Sequence, residues 1–206
     1  MARTRAIDYH HLDEARAAGR GGICVLPHMG NWDAAGHSLA VHGYPIASVA
    51  EVLEPPRLSE LFLRHREELG LRIIPLTKDG HVGQQLKQLL SENWIVALVA
   101  DRDLAGRGVE VEMFGERRRV PAGPALLSIT TGAPLMVCPV STLPDGWMVR
   151  IGAPLEFERT GDVKHDVAEL SRAMAREFER AIAAHPADWH LFQPGWDELA
   201  APVAVP

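Results

Sequence analysis

The chain has 206 residues, of which 47% are hydrophobic and 23% charged, and its formal net charge is −6 at pH 7. This is the balance of a folded protein with a sizeable core, which excludes an intrinsically disordered chain. The acidic charge also argues against a nucleic-acid-binding protein, because phosphate contacts need a clustered basic surface.

The amino end and the two cysteines suggest where the chain works. No apolar run approaches the roughly 20 residues that a membrane-spanning helix needs. The first residues also lack the apolar segment of a secretory signal. Cys24 and Cys138 both lie in apolar, strand-like runs, which predicts buried free thiols rather than a disulfide. We therefore expect a cytoplasmic chain, either soluble or peripheral to a membrane.

The predicted elements alternate between strand and helix over the first half of the chain. The patterns predict helices over 8–18, 33–42, 55–69, 80–91, 121–131 and 163–184, and strands over 22–26, 45–51, 71–75, 94–100, 109–114, 117–120, 135–140 and 147–151. The early strands are unbroken apolar runs, as in a parallel sheet covered on both faces. The predicted fold class is α/β, with a central, mostly parallel sheet of about six to seven strands flanked by helices. We expect one domain over 1–206, with a disordered tail at 200–206.

Three of these strands lead into ionisable side chains. His28 and Asp101 follow two of them, and Glu51 ends a third. Ligands of open α/β sheets bind at the carboxyl ends of the strands. Charged residues also follow strands simply because loops are solvated, but three together predict a site at this edge.

His28 lies in a turn between a strand and a helix, five residues before Asp33. Across such a turn the two side chains can face each other, and a neighbouring carboxylate fixes the tautomer of an imidazole and supports its protonated form. The spacing therefore predicts a general base at His28 that Asp33 orients. The alternative is that Asp33 only supplies negative charge to the first turn of a helix.

Two further groups of side chains have open interpretations. The run 117–119 is three arginines, which would either grip phosphates or, as a strand, alternate between faces at a solvated edge. Trp189, Phe192 and Trp196 would either meet a bilayer interface or pack against the core.

Short motifs along the chain resemble those of a known family. In chain order they are Pro27-His28-Met29-Gly30-Asn31-Trp32-Asp33, Arg66-x3-Gly70, Ala100-Asp101-Arg102-Asp103-Leu104, residues 108–116, residues 121–125, Thr131-Gly132-Ala133 and Pro186-x2-Trp189-x2-Phe192. On these motifs the chain resembles the lysophospholipid acyltransferase superfamily, in the branch of the bacterial lipid A late acyltransferases. The likeness runs from about residue 12 to 196 and implies a glycerol-3-phosphate acyltransferase-like fold.

The resemblance implies transfer of a long acyl chain from acyl-CoA to a hydroxyl of a membrane glycolipid, in the nearest branch a mannose of phosphatidylinositol mannoside. His28 would be the general base and Asp33 would orient it. Glu51 and Asp101 would line the same site, one of them holding the imidazole or the acceptor sugar. The resemblance implies no covalent acyl-enzyme, no metal and no cofactor. Acyl-CoA would take part as a co-substrate.

The same resemblance implies a set of substrate contacts and a location. The implied substrate-binding residues are Gly30, Asn31, Trp32, Arg66, Arg102 and Asp103. The backbone N–H groups of Gly30 and Asn31 would stabilise the tetrahedral oxyanion. The expected location is the cytoplasmic face of the cell membrane, bound peripherally, with no nucleic-acid partner. Family members carry a longer amino-terminal region with amphipathic helices, whereas 27 residues precede His28 here.

Two other functions fit the same residues. Water in place of the sugar hydroxyl would make the protein a thioesterase or lipid hydrolase. A shortened chain that only binds lipid would be non-catalytic.

Overall fold

A five-stranded parallel sheet lies at the centre of the computed structural model, which describes residues 3–77, 81–103, 106–191 and 196. The strands are β1 Arg3–Ile7, β2 Gly22–Leu26, β3 Ile46–Glu51, β4 Leu71–Leu76, β5 Ile95–Val99, β6 Val109–Met113, β7 Glu116–Val120, β8 Leu135–Val137, β9 Val140–Leu143 and β10 Gly146–Arg150. The central sheet has the order β4-β3-β5-β2-β8. Every residue of β2 is buried, as expected for an inner strand covered on both faces.

Helices cover both faces of this sheet. They are α1 His10–Ala17, α2 Trp32–Val41, α3 Pro56–Glu68, α4 Val82–Ser91, α5 Gly123–Thr131 and α6 Val163–Ala184, followed by a 3₁₀ turn at Pro186–Asp188. Side chains of α4, α5 and α6 form the core on one face, and those of α1 and α2 form it on the other. The predicted α/β class, with a mostly parallel sheet flanked by helices, is confirmed.

Strands outside the central sheet form two smaller units. β6 and β7, predicted as strands over 109–114 and 117–120, pair as an antiparallel hairpin, while β1, β10 and β9 form a three-stranded sheet. β1 was not predicted, because its sequence begins Arg-Thr-Arg and three of its five residues are only partly buried. The single strand predicted over 135–140 is two strands, β8 and β9, in different sheets. Pro139 lies between them, and proline has no N–H to continue a ladder.

Both cysteines are free and buried, as predicted. Within the described ranges, no helix combines the length and the apolar character needed to cross a membrane. The extent of the domain over 1–206 stays a prediction, and the tail 200–206 lies outside the described residues.

Candidate active site

His28 and Asp101 meet at the carboxyl edge of the central sheet because β2 and β5 are neighbouring parallel strands. Paired residues of these strands, from Gly22 with Ile95 to Leu26 with Val99, differ by 73 in number. His28 and Asp101 also differ by 73, and Nδ1 of His28 forms a short hydrogen bond with Oδ1 of Asp101. The pair therefore continues the strand register two residues beyond the end of each strand.

Asp101 is completely buried, and its carboxylate accepts three hydrogen bonds. Oδ1 accepts the hydrogen bond from Nδ1 of His28. Oδ2 accepts two more, one from the backbone N–H of His28 at 3.0 Å and one from Nε1 of Trp189 at 2.9 Å. Burial raises the pKa of Asp101, but the hydrogen bonds and charge of His28, with the indole of Trp189, outweigh it and hold the pKa below its usual value. An ionised carboxylate is therefore maintained beside the imidazole.

The imidazole of His28 is thereby oriented for proton transfer. An ionised Asp101 can only accept, so Nδ1 carries the proton and Nε2 keeps a basic lone pair. No hydrogen bond among the described residues involves Nε2, and the side chain is 20% exposed. The ring of Trp32 packs edge-on against it at a centroid distance of 5.6 Å. A substrate hydroxyl can approach from the open side.

The prediction that Asp33 orients His28 is wrong, whereas Asp101, the other carboxylate predicted with Glu51 as a holder of the imidazole, is the one that bonds to it. Asp33 does not hold the imidazole; its carboxylate takes a two-point ion pair with Arg66 of α3, at 2.8 Å from Nε and 3.4 Å from Nη2. Asp33 lies in the first turn of α2, whose cap is Asn31. A helical residue there faces α3, whereas Asp101 reaches His28 through the strand register. Asp33 and Arg66 thus connect α2 to α3 beside the site.

The turn before α2 also differs from the predicted oxyanion site. The N–H of Gly30 donates to the backbone oxygen of Asp188 at 2.9 Å, so it is already engaged. The side chain of Asn31 accepts from the N–H of Ala34 as the helix cap. This contact does not involve the backbone N–H of Asn31, whose role as an oxyanion donor stays a prediction. The first N–H groups of a helix have no partner within it, so those of Trp32 and Asp33 are further donors at this end of α2.

The other predicted residues occupy the rim and its loops. Glu51 ends β3 and lies 3.6 Å from Arg102, which follows Asp101. The side chain of Glu51 is about half exposed, and the pair lies next to the His28 site. Asp103 instead accepts the N–H of Gly108 at 2.6 Å, which fixes the start of β6. A role of Asp103 in substrate binding stays a prediction.

Sequence reasoning missed the part that the segment after α6 plays in the site. Trp189 bonds to Asp101 through its indole, and the N–H of His190 donates to the backbone oxygen of His28 at 2.7 Å. Nε2 of His190 lies 3.1 Å from the oxygen of Gly30. The segment therefore clamps the His28 turn from outside. Trp189 was noticed in the sequence, but the roles predicted for it were packing or contact with a bilayer interface, not a hydrogen bond to Asp101.

Arg118 is the second unexpected residue near the site. It is 1% exposed, and its Nη2 donates to the backbone oxygen of Asp101. Its neighbours on β7, residues 117 and 119, are exposed, so the arginine run does alternate between faces. Burial lowers the pKa of Arg118, and the negative charge of Asp101 opposes that effect.

The described residues contain no group of three or more histidine, cysteine or acidic side chains arranged to hold a metal ion. A cavity of about 640 Å³ opens between α6 and strands β8 to β10, lined by residues such as Met148, Arg176 and Ala181. None of its lining residues belongs to the His28 site.

These features define a class of protein: an α/β protein with an imidazole–carboxylate pair at the carboxyl edge of a parallel sheet, able to take a proton from a substrate. The model of the family described as bacterial lipid A biosynthesis acyltransferase matches residues 1–198. The chain belongs to this family.

Two curated relatives are similar over most of the chain. A protein of Mycolicibacterium smegmatis named phosphatidylinositol mannoside acyltransferase is 42% identical over 191 residues, which is 92% of this chain and 61% of the relative. A protein of the same name from Mycobacterium tuberculosis is 42% identical over 187 residues, 90% of this chain and 58% of the relative. The chain thus spans about three fifths of the length of these relatives.

Gly30 provides a test of how tightly the His28 turn is packed. Gly30 has φ +60°, and a Cβ there would lie 2.4 Å from the backbone oxygen of Val140; Gly43 has φ +85° and open space around it. Both substitutions to alanine carry the left-handed penalty, about 1–2 kcal/mol. We expect Gly30→Ala to lower the free energy of unfolding by a further amount on the order of 1 kcal/mol or more, measured by urea denaturation. Equal losses at the two positions would contradict the close packing.

The ionisation of Asp101 predicts a dependence of stability on pH. Its pKa is lower in the folded chain than in the unfolded one, so its ionisation stabilises the fold above the unfolded value of about 3.9. This stabilisation is lost as the pH falls through the folded pKa. Relative to Asp101→Asn, the wild type should therefore lose stability as the pH falls below about 5, measured by denaturation at each pH. A constant difference across this range is the contrary result.

Proposed function

We propose that this chain carries an acyltransferase that moves a long acyl group from acyl-CoA to a sugar hydroxyl of a membrane glycolipid. A mannose of phosphatidylinositol mannoside is the proposed acceptor, since that lipid gives the two 42% identical relatives their name. The observation that carries the proposal is the His28 imidazole, held by a buried carboxylate at Nδ1 and open at Nε2.

The proposed reaction uses this imidazole twice. A sugar hydroxyl is a weak nucleophile until a base removes its proton during attack. Nε2 of His28 takes that proton while the hydroxyl oxygen bonds to the thioester carbonyl carbon. The tetrahedral intermediate collapses, the carbon–sulfur bond breaks, and the imidazolium returns the proton to the sulfur of CoA. The products are an ester and free CoA, and Asp101 stabilises the imidazolium between the two steps.

The rim of the site supplies groups that suit a polar acceptor. The ion pairs of Asp33 with Arg66 and of Glu51 with Arg102 border the His28 turn. Carboxylate and guanidinium groups together offer acceptors and donors for sugar hydroxyls and for a phosphodiester. In the proposed complex, they orient the mannose so that one hydroxyl faces Nε2.

Helix α3 supports the lipid nature of the acceptor. It carries Arg66 at the site, and along its outer side Leu58, Leu61 and Phe62 are 38%, 57% and 40% exposed. These three apolar residues lie at i, i+3 and i+4 and therefore form one stripe. In the proposal this stripe faces the lipid phase when the protein binds peripherally at the cytoplasmic face of the membrane.

The acceptor is tested with two closely matched lipids. The purified chain is incubated with palmitoyl-CoA and either phosphatidylinositol mannoside or phosphatidylinositol without mannose. We expect release of free CoA that depends on the mannoside, and mass spectrometry should show that lipid with one added palmitoyl group. Release that ignores the acceptor would instead identify a thioesterase, and binding of acyl-CoA without any turnover would identify a lipid-binding protein.

The partner of His28 is tested with three variants. His28→Gln keeps a donor for Asp101 but removes the base, so transfer should be abolished. Asp101→Asn should lower kcat about 10³- to 10⁴-fold because the imidazole loses its orienting charge. Asp33→Asn should cost less, since Asp33 bonds to Arg66. The measurement is kcat and KM of CoA release, with circular dichroism as the control for folding. A larger loss in Asp33→Asn than in Asp101→Asn would refute this pairing.

A further inference from the structure

Arg118 is a buried cation that the proposed reaction does not use. It lies on β7 and is 1% exposed, whereas the side chain of neighbouring Arg117 is 79% exposed and pairs only loosely with Glu110, at 3.8 Å. A buried arginine without a direct ion pair to a carboxylate is costly, because its charge is removed from water, and the nearby charge of Asp101 opposes that cost. Its presence beside Asp101 therefore calls for a role other than stability.

The side chain of Arg118 contacts residues at and beside the site. Its Nη2 donates to the backbone oxygen of Asp101, and its guanidinium lies over the rings of Trp189 and Trp196, at 5.8 and 5.2 Å from their centroids. The two indoles meet edge to face at 6.0 Å. Arg118 therefore contacts both residues of the Asp101–Trp189 hydrogen bond, one through its main chain and the other through its ring.

We propose that Arg118 is a positioning residue for the His28–Asp101 pair. By holding the Asp101 backbone and the Trp189 ring at once, it fixes the carboxylate so that one oxygen faces His28 and the other faces the indole. A residue that orients a reacting group is itself held in place by hydrogen bonds and packing from residues farther from the substrate. This inference rests on the proposed function and adds the residue that holds its orienting carboxylate in place.

The unpaired nitrogens of Arg118 are consistent with this role. Nε and Nη1 have no hydrogen-bond partner among the described residues, so the guanidinium is held by one hydrogen bond and two ring faces. Stacking on indoles requires a planar cation, which lysine does not provide. The burial of Arg118, which is 1% exposed, also leaves no route for a phosphate to reach it.

The experiment compares Arg118→Met and Arg118→Lys with the control Arg117→Met. Replacing a buried, poorly paired charge by a methionine of similar length is often neutral or stabilising, so a purely structural role predicts little loss of activity in a folded variant. The positioning role predicts a loss of kcat on the order of 10-fold or more, with KM unchanged, in Arg118→Met. Arg118→Lys should recover only part of this loss, and Arg117→Met should match the wild type.

A second measurement does not depend on catalysis. The chain has five tryptophans, and labelling their indoles with ¹⁵N gives a signal for Trp189 that Trp189→Phe identifies by its disappearance. The signal should shift in Arg118→Met and stay in place in Arg117→Met. Where Arg118→Met does not fold, Arg118→Lys carries both measurements.

The outcomes separate this inference from the proposed function. An unmoved Trp189 signal, or wild-type kcat in a folded Arg118 variant, overturns the positioning role. If the wild type transfers no acyl group but the Trp189 signal still responds to Arg118 alone, the positioning of the Asp101 carboxylate stands and the proposed reaction fails.

Discussion

The hydrogen bond between Nδ1 of His28 and the Asp101 carboxylate is the contact on which the rest of the site depends. It exists because β5 is inserted between β3 and β2, which brings two strand ends side by side. A parallel ladder keeps a constant offset, so the same backbone geometry that pairs Leu26 with Val99 also sets the distance between imidazole and carboxylate. The orientation of the His28 imidazole is therefore set by the register of the sheet.

Asp101 is stabilised as an anion in a place where burial alone would favour its neutral form. Three donors outweigh the cost of burial, and two of them belong to His28 itself. The third comes from Trp189, which is part of the segment after α6 and stacks on the buried Arg118. Contacts to Asp101 thus connect the sheet edge, the β6–β7 hairpin and the segment after α6.

The sequence allowed much of the fold and half of the site to be predicted. Apolar runs identified the strands of the central sheet, and their ends identified His28, Glu51 and Asp101 as neighbours. Asp33 was assigned as the orienting partner of His28 because it is only five residues away in the chain. Asp101, which the resemblance offered together with Glu51 as a holder of the imidazole, is the carboxylate that bonds to His28, and the choice between them depends on a strand order that no local pattern reveals. Alternation of the arginine run between faces was one of two interpretations of the sequence, and neither specified that Arg118 would be buried against Asp101, because that contact depends on the packing of the hairpin.

The hydrogen bonds of Trp189 and His190 have a consequence for the order in which parts of the molecule fold during synthesis. These residues bond to the turn that carries His28, about 160 positions earlier in the chain. When the ribosome has released the chain only as far as α6, all five strands of the central sheet are available to fold. Until the segment after α6 emerges, Gly30 lacks its hydrogen-bond acceptor and Asp101 lacks its indole donor. The strands of the central sheet are therefore available before the contacts around His28 are complete.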